Sequence, residues 1–252
     1  MTTAIEHYER LLAEHYTWMS GGLDNAVARN RTTLLGLGVQ ARGGGARAID
    51  LGAGSGAQSL ALAQLGFEVW AVDSSEPLLA ELGRHESATH VRCVHADMTD
   101  LARYCPEGGV DLIVCMGDSL LHLRSRSEMA KLLSSVPGCL RPGGEVVVSF
   151  RDLTPELKGT DRILPVQNDA DRIMTCFLEY FPNHVIVHDT VYTRTDGDWT
   201  LAKSAYPKLR LGAQDVRRHL EAAGLQVGDV HIDRGLVTIQ ARRPEERSSS
   251  GE

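Results

Sequence analysis

The stretch Ala48–Gly56, reading AIDLGAGSG, constrains this chain more than any other. A short apolar run breaks into Gly52, Gly54 and Gly56 and passes at once into the helix-forming Gln58–Ala63. Strand, glycine turn and helix in that order open an α/β sheet and leave a nucleotide-sized hole at the strand's carboxyl end. The glycines let the backbone turn sharply and approach a ligand where a Cβ would collide. The helix start behind them offers unpaired N–H groups and a positive dipole end, suited to an anionic group.

A second apolar run, Phe67–Val72, ends at Asp73, twenty-one residues past Gly52. A carboxylate there can accept two hydroxyl hydrogen bonds from a ribose, and Ser74 beside it joins the same ligand-facing turn. Gly52, Gly54 and Ala57 also satisfy the dinucleotide fingerprint, so a nicotinamide oxidoreductase stays open on these residues alone. Three further features shift the balance. Asp50 precedes the first glycine, where it could orient the loop or meet a ligand ammonium. A third run, Val91–Ala96, ends in Asp97 and Met98, an acid for an exocyclic amine beside an apolar contact for a purine face. A fourth, Val110–Cys115, ends in Met116-Gly117-Asp118.

With these four motifs in order, residues 46–150 resemble the class I S-adenosylmethionine-dependent methyltransferases. The family motif is D-x-G-x-G-x-G with acids after the second and third strands. The resemblance implies S-adenosylmethionine as cofactor, S-adenosylhomocysteine as product and no metal. It assigns Asp50 and the Gly52–Gly56 loop to the methionine end, Asp73 and Ser74 to the ribose, Asp97 to the adenine amine and Met98 to the adenine face. Met116, Trp18 and Arg31 complete the expected cofactor contacts, Arg31 at the methionine carboxylate.

The remaining pattern predicts a doubly wound α/β fold. Strand and helix alternate through Phe150, which argues for a parallel sheet with helices on both faces. Leu120–Val136 reads as one helix, and Ser74 or Ser75 caps the helix Pro77–Arg84. Ile173–Phe181, His184–Thr193 and Trp199–Leu211 are β-rich runs parted by turn residues, an antiparallel three-stranded insertion after the fifth strand. Leu225–Ile232 and Gly235–Ala241 complete a seven-stranded, mostly parallel sheet, the last strand antiparallel as the family has it. Ile5, Tyr8, Leu12, Tyr16 and Met19 form a helical stripe, and the family places such a leading segment over the cofactor as a lid. The expected divisions are a helical lid over 1–45, a cofactor-binding core over 46–150 and 212–243, the insertion over 151–211 and a disordered tail over 244–252.

Asp118 and His122, four apart, share one face if helical, and either could orient or deprotonate an amine or hydroxyl. The alternatives are that Asp118 caps a helix and that His122 is a satisfied core histidine. Gly117–Leu123 is similar to the G-N-S-x-x-H-L stretch of the glycine and sarcosine N-methyltransferases. That branch also implies Arg151 as a grip for a substrate carboxylate and Tyr206-Pro207 near the substrate, while the lid of the wider class puts Tyr8, Tyr16 and Trp18 in the pocket, the alternative being that they pack the helix onto the sheet. Arg151 has a plainer reading, an ion pair with Asp152 or Asp161. Asp118 stands where the branch has an amide, which turns the expectation from glycine toward a protonated amine, a heterocyclic N–H or a phenol. The expected reaction is methyl transfer to nitrogen of a small polar metabolite or natural product. O-methylation of a phenol or carboxylate is the alternative.

Composition excludes other classes. A formal net charge of −7 without a basic run argues against a nucleic-acid partner. No apolar stretch approaches the roughly 20 residues a membrane helix needs. The start MTTAIEHYER does not read as a signal peptide, and five cysteines without a CxxC pair suit a reducing cytoplasm. The expected partners are a small-molecule methyl acceptor and, as an open option, further copies of the chain.

Overall fold

A computed structural model describes residues 3–245; the tail expected beyond Pro244 lies almost wholly outside them. β1 (Arg47–Leu51) is buried over four of its five residues because it runs through the middle of the main sheet. β2 (Glu68–Asp73), β3 (Val91–His95), β4 (Val110–Cys115) and β5 (Leu140–Arg151) lie parallel to it. The insertion carries β6 (Ile163–Asn168), β7 (Arg172–Tyr180), β8 (His184–Thr195) and β9 (Asp198–Leu209). β10 (Gln226–Asp233) and β11 (Leu236–Arg242) then return to the main sheet, whose order is β10-β11-β5-β4-β1-β2-β3. β11 is antiparallel to both its neighbours. The strand order reverses between β1 and β4, which opens a crevice at their carboxyl ends.

Helices cover both faces. Leu34 of Leu23–Gly36 and Leu60 and Leu62 of Ala57–Gln64 pack on one side of β1. Met129, Leu132, Leu133 and Val136 of Arg126–Cys139 fill the other, with Val216 and Leu220 of Ala213–Ala222. The N-terminal segment is helical from Ala4 to Met19, with a wide π turn over Tyr8–Leu12. Leu11 and Leu12 bury against Met174 and Val191 of the insertion.

Three expectations are corrected. The insertion has four strands: β6 pairs antiparallel with β7 at the sheet edge. Pro165 hides it from pattern reading, yet an edge strand tolerates the missing N–H. The helix read over Leu120–Val136 is two pieces, a 3-10 turn over Ser119–His122 and a helix from Arg126. Ser125 starts the second piece by accepting from the Glu128 N–H at 3.1 Å. Cys105 and Cys139 form a disulfide, their Cα atoms 5.8 Å apart, so the cysteines do not all stand as free thiols. Cys93, Cys115 and Cys176 are free.

Candidate active site

The carboxyl ends of β1, β2 and β3 carry one wall of a cavity of about 260 Å³. Gly52 and Gly54 line it with φ of 76° and 55°, in the left-handed region that favours glycine. A Cβ on Gly52 would run into Ser119, and one on Gly54 would stand 3.0 Å from the Tyr16 ring. Both glycines are therefore required by close approach. Gly56 begins the following helix and packs on Leu82 instead of facing the cavity.

Asp73 is held by the loops it touches. Its Oδ2 accepts the Gly54 N–H and its Oδ1 the Ser75 N–H, each at 2.8 Å. Burial raises its carboxyl above the usual range, against the pull of those backbone donors. Ser74 lines the cavity beside it, its carbonyl accepting from His95 Nε2 at 3.1 Å. Asp97 accepts from the Thr99 N–H and hydroxyl at 2.8 and 2.7 Å, and Met98 follows it into the cavity wall. Asp50 is only 2 % exposed and faces away from the cavity, accepting from the Ser59 hydroxyl at 2.6 Å. Burial pushes its carboxyl up to about 7.

The opposite wall comes from the N-terminal segment and the turn after β4. Thr3, Ala4, Ile5, Tyr8 and Tyr16 close over the cavity, with Ser119, His122 and Leu123 across from them. Burial pushes the Tyr16 hydroxyl up to about 12 and the Tyr8 hydroxyl well above its usual value, so both remain protonated. Burial, reinforced by Lys208, lowers His122 to about 3. Its imidazole is thus neutral, and its Nε2 is buried without a hydrogen-bond partner. The Tyr8 and Tyr206 rings flank it with centroids at 5.5 and 5.6 Å.

Asp118 does not cap the turn that follows it. Lys208 Nζ donates to its Oδ2 at 2.6 Å and the Arg151 N–H to its Oδ1 at 3.1 Å. Burial alone would raise this carboxyl, but the Lys208 and Arg151 charges outweigh it and hold the group well below the carboxylate range. Burial likewise works against the Lys208 ammonium, and Asp118 overrides it to raise that group. Arg151 is exposed and forms no ion pair with Asp152 or Asp161; the Asp152 carboxylate turns to the Thr154 N–H at 2.8 Å.

Some expected residues lie elsewhere. Arg31 opens onto a separate surface groove with Asp24, Gln64 and His85. Trp18 sits under the Arg172 guanidinium, 4.5 Å from its ring centre, facing the insertion. Met116 Sδ takes the Gln58 Nε2 at 3.3 Å, off the cavity. Tyr206 is 3 % exposed and stands behind His122. Sequence reasoning missed Lys208, although strand alternation puts positions 206 and 208 on one face. It also missed His7 and Asp189, whose partnership across the chain leaves no local signal.

The acids, glycines and Met98 gathered on one wall fit an adenosyl ligand: hydroxyl acceptors at Asp73, an amine acceptor at Asp97 and an apolar face between. Residues 48–144 match a family described as a methyltransferase domain. The chain therefore carries a methyltransferase domain over these residues. The chain is 31% identical over 113 residues to a glycine/sarcosine N-methyltransferase of Aphanothece halophytica, covering 43% of this chain and 42% of that one. It spans less than half the length of this and the next two curated relatives it matches. Among solved structures, an S-adenosylmethionine-dependent methyltransferase from Clostridium acetobutylicum ATCC 824 has the same fold, with a TM-score of 0.69 and 15% identity over 95% of this chain and 97% of that one. The sugar N-methyltransferase KedS8 from Streptoalloteichus sp ATCC 53650 gives 0.68 and 18% over 87% of each.

Proposed function

We propose that the protein is a methyltransferase that moves a methyl group from S-adenosylmethionine to a nitrogen of a small polar metabolite or natural product. The observation that carries this reading is one cavity with two chemically distinct walls. Asp73, Asp97 and Met98 line one, and His122, whose Nε2 is buried without a hydrogen-bond partner, lines the other. The bound cofactor supplies a methyl carbon already activated by its sulfonium. What remains for the chain is alignment and proton handling.

Asp73 would take ribose hydroxyls on the lone pairs left over from Gly54 and Ser75, while Asp97 and Met98 would hold the adenine. Asp50 stiffens the glycine loop from behind through Ser59. At the acceptor end, His122 Nε2 accepts a hydrogen bond from the acceptor N–H and turns the nitrogen lone pair toward the methyl group. With Asp118 neutralised by Lys208, no uncompensated carboxylate waits for a protonated amine. The acceptor nitrogen therefore reacts as the free amine, and its proton leaves to water after transfer. The N-methyltransferases of glycine and of sugars among the similar proteins support a nitrogen target.

The test is a calorimetric titration with S-adenosylmethionine, S-adenosylhomocysteine and NADH, then a mass-spectrometric screen of amines, amino sugars and phenols. Binding of the two sulfur compounds and an amine product heavier by one methylene support the proposal. Phenol products alone move it to oxygen, and NADH binding alone sinks it.

A further inference from the structure

His7 is fully buried, yet it lies outside the cavity lining and outside the mechanism above. Its Nε2 donates to Asp189 Oδ2 at 2.9 Å, joining the N-terminal helix to β8 across 182 residues. Its ring stacks on Tyr206 with centroids 4.0 Å apart and an interplanar angle of 25°. Tyr206 in turn stands edge-on to His122 at 89°. Two residues along β9, Lys208 holds Asp118.

Packing alone does not account for an imidazole and a carboxylate here. A buried imidazole–carboxylate contact stabilises little over well-packed apolar side chains, but it is directional. Asp189 fixes the plane of the His7 ring, and that plane is the face offered to Tyr206. With Nε2 on the carboxylate, the other ring nitrogen, Nδ1, is buried with no partner of its own.

We propose that His7 is a positioning residue for the methyl acceptor. It acts through Tyr206 on His122, so the acceptor end of the cavity reaches its working geometry only when the N-terminal helix is docked on the insertion by Asp189. The acceptor role rests on the methyl-transfer reading, whereas the coupling of His7 to His122 can be measured without any acceptor.

The experiment compares wild type with His7→Gln and Asp189→Asn, each labelled with ¹⁵N-histidine. His7→Gln keeps an amide donor for Asp189 but removes the stacked ring. Asp189→Asn keeps a carbonyl that accepts from His7 Nε2. The expected result is a displaced or broadened His122 ring signal in His7→Gln, and a wild-type signal in Asp189→Asn. S-adenosylhomocysteine affinity, read by calorimetry, should stay near the wild-type value in both. Should His7→Gln fail to fold, His7→Leu/Asp189→Leu replaces the pair by apolar side chains and is expected to shift His122 in the same way. An unchanged His122 signal in whichever ring-less variant folds overturns the proposal. Failure of the wild type to bind S-adenosylhomocysteine would instead remove the methyl-transfer reading and leave the His7–His122 coupling standing.

Discussion

The two ends of the cavity are built by different means. The end at β1–β3 is made of backbone turns and near neighbours: Asp73 meets Ser75 two residues away and Gly54 nineteen away. The end at His122 is made of side chains brought together from far apart, Lys208 with Asp118 across 90 residues and His7 with Asp189 across 182. The first end offers fixed hydrogen-bond acceptors. The second offers aromatic rings and the neutral His122, with the charges of Lys208 and Asp118 compensating each other behind them. A binding site that must hold one constant ligand can be written into a loop. One that must be shaped for a particular acceptor is assembled from inserted elements, where substitution leaves the core intact.

This contrast can be broken most widely by pH. The folded His122 titrates near 3, below the ordinary value of 6.5, so the unfolded chain binds a proton that the folded one does not. His122 therefore contributes stability that is complete above about 6.5 and is lost as pH falls toward 3. Ring ¹⁵N shifts should report a neutral His122 at pH 5; a protonated ring there would mean that the acceptor end is wet.

Lys208→Met strands the Asp118 carboxylate in a buried place and should destabilise the fold by about 3–5 kcal/mol in denaturant unfolding. Adding Asp118→Leu should restore most of that loss, because both charges are then gone. A single variant as stable as wild type would mean that Asp118 is solvated. Asp73→Ala acts at the other end, removing acceptors for ribose hydroxyls worth roughly 1.5–3 kcal/mol. Calorimetry should show ten- to a hundred-fold weaker cofactor binding, on the order of that energy. The smallest effect is expected at Arg31: Arg31→Ala should leave cofactor affinity unchanged, since its side chain opens onto a different groove. A clear loss would place Arg31 on the methionine carboxylate after all.

The same contrast governs what the sequence reveals. The strand-turn-helix signature at Gly52–Gly56 and the acids ending β2 and β3 are contiguous patterns, so the core and its ligand-facing loops are legible at once. The insertion is legible as β structure but not in strand number, because Pro165 disguises the edge strand β6. Asp50 misleads: its place before the first glycine suggests a ligand contact, yet its side chain alternates to the buried face and reaches Ser59. Asp118 misleads in the opposite way. A lone acid reads as a partner for an amine, and only the folded chain brings Lys208 to it. The orphaned imidazole nitrogens His122 Nε2, His7 Nδ1 and His15 Nδ1 are products of tertiary packing that no local pattern encodes.

The central claim is that the Asp73 wall receives an adenosyl ligand while the His122 wall receives its acceptor. The most direct measurement is calorimetric titration of S-adenosylhomocysteine into wild type, Asp73→Ala and Lys208→Met/Asp118→Leu. The account predicts saturable binding to wild type, ten- to a hundred-fold weaker binding to Asp73→Ala on the order of one lost hydrogen-bonding site, and near-wild-type binding to the double variant. Equal affinity in wild type and Asp73→Ala, or no binding to wild type at all, would contradict it.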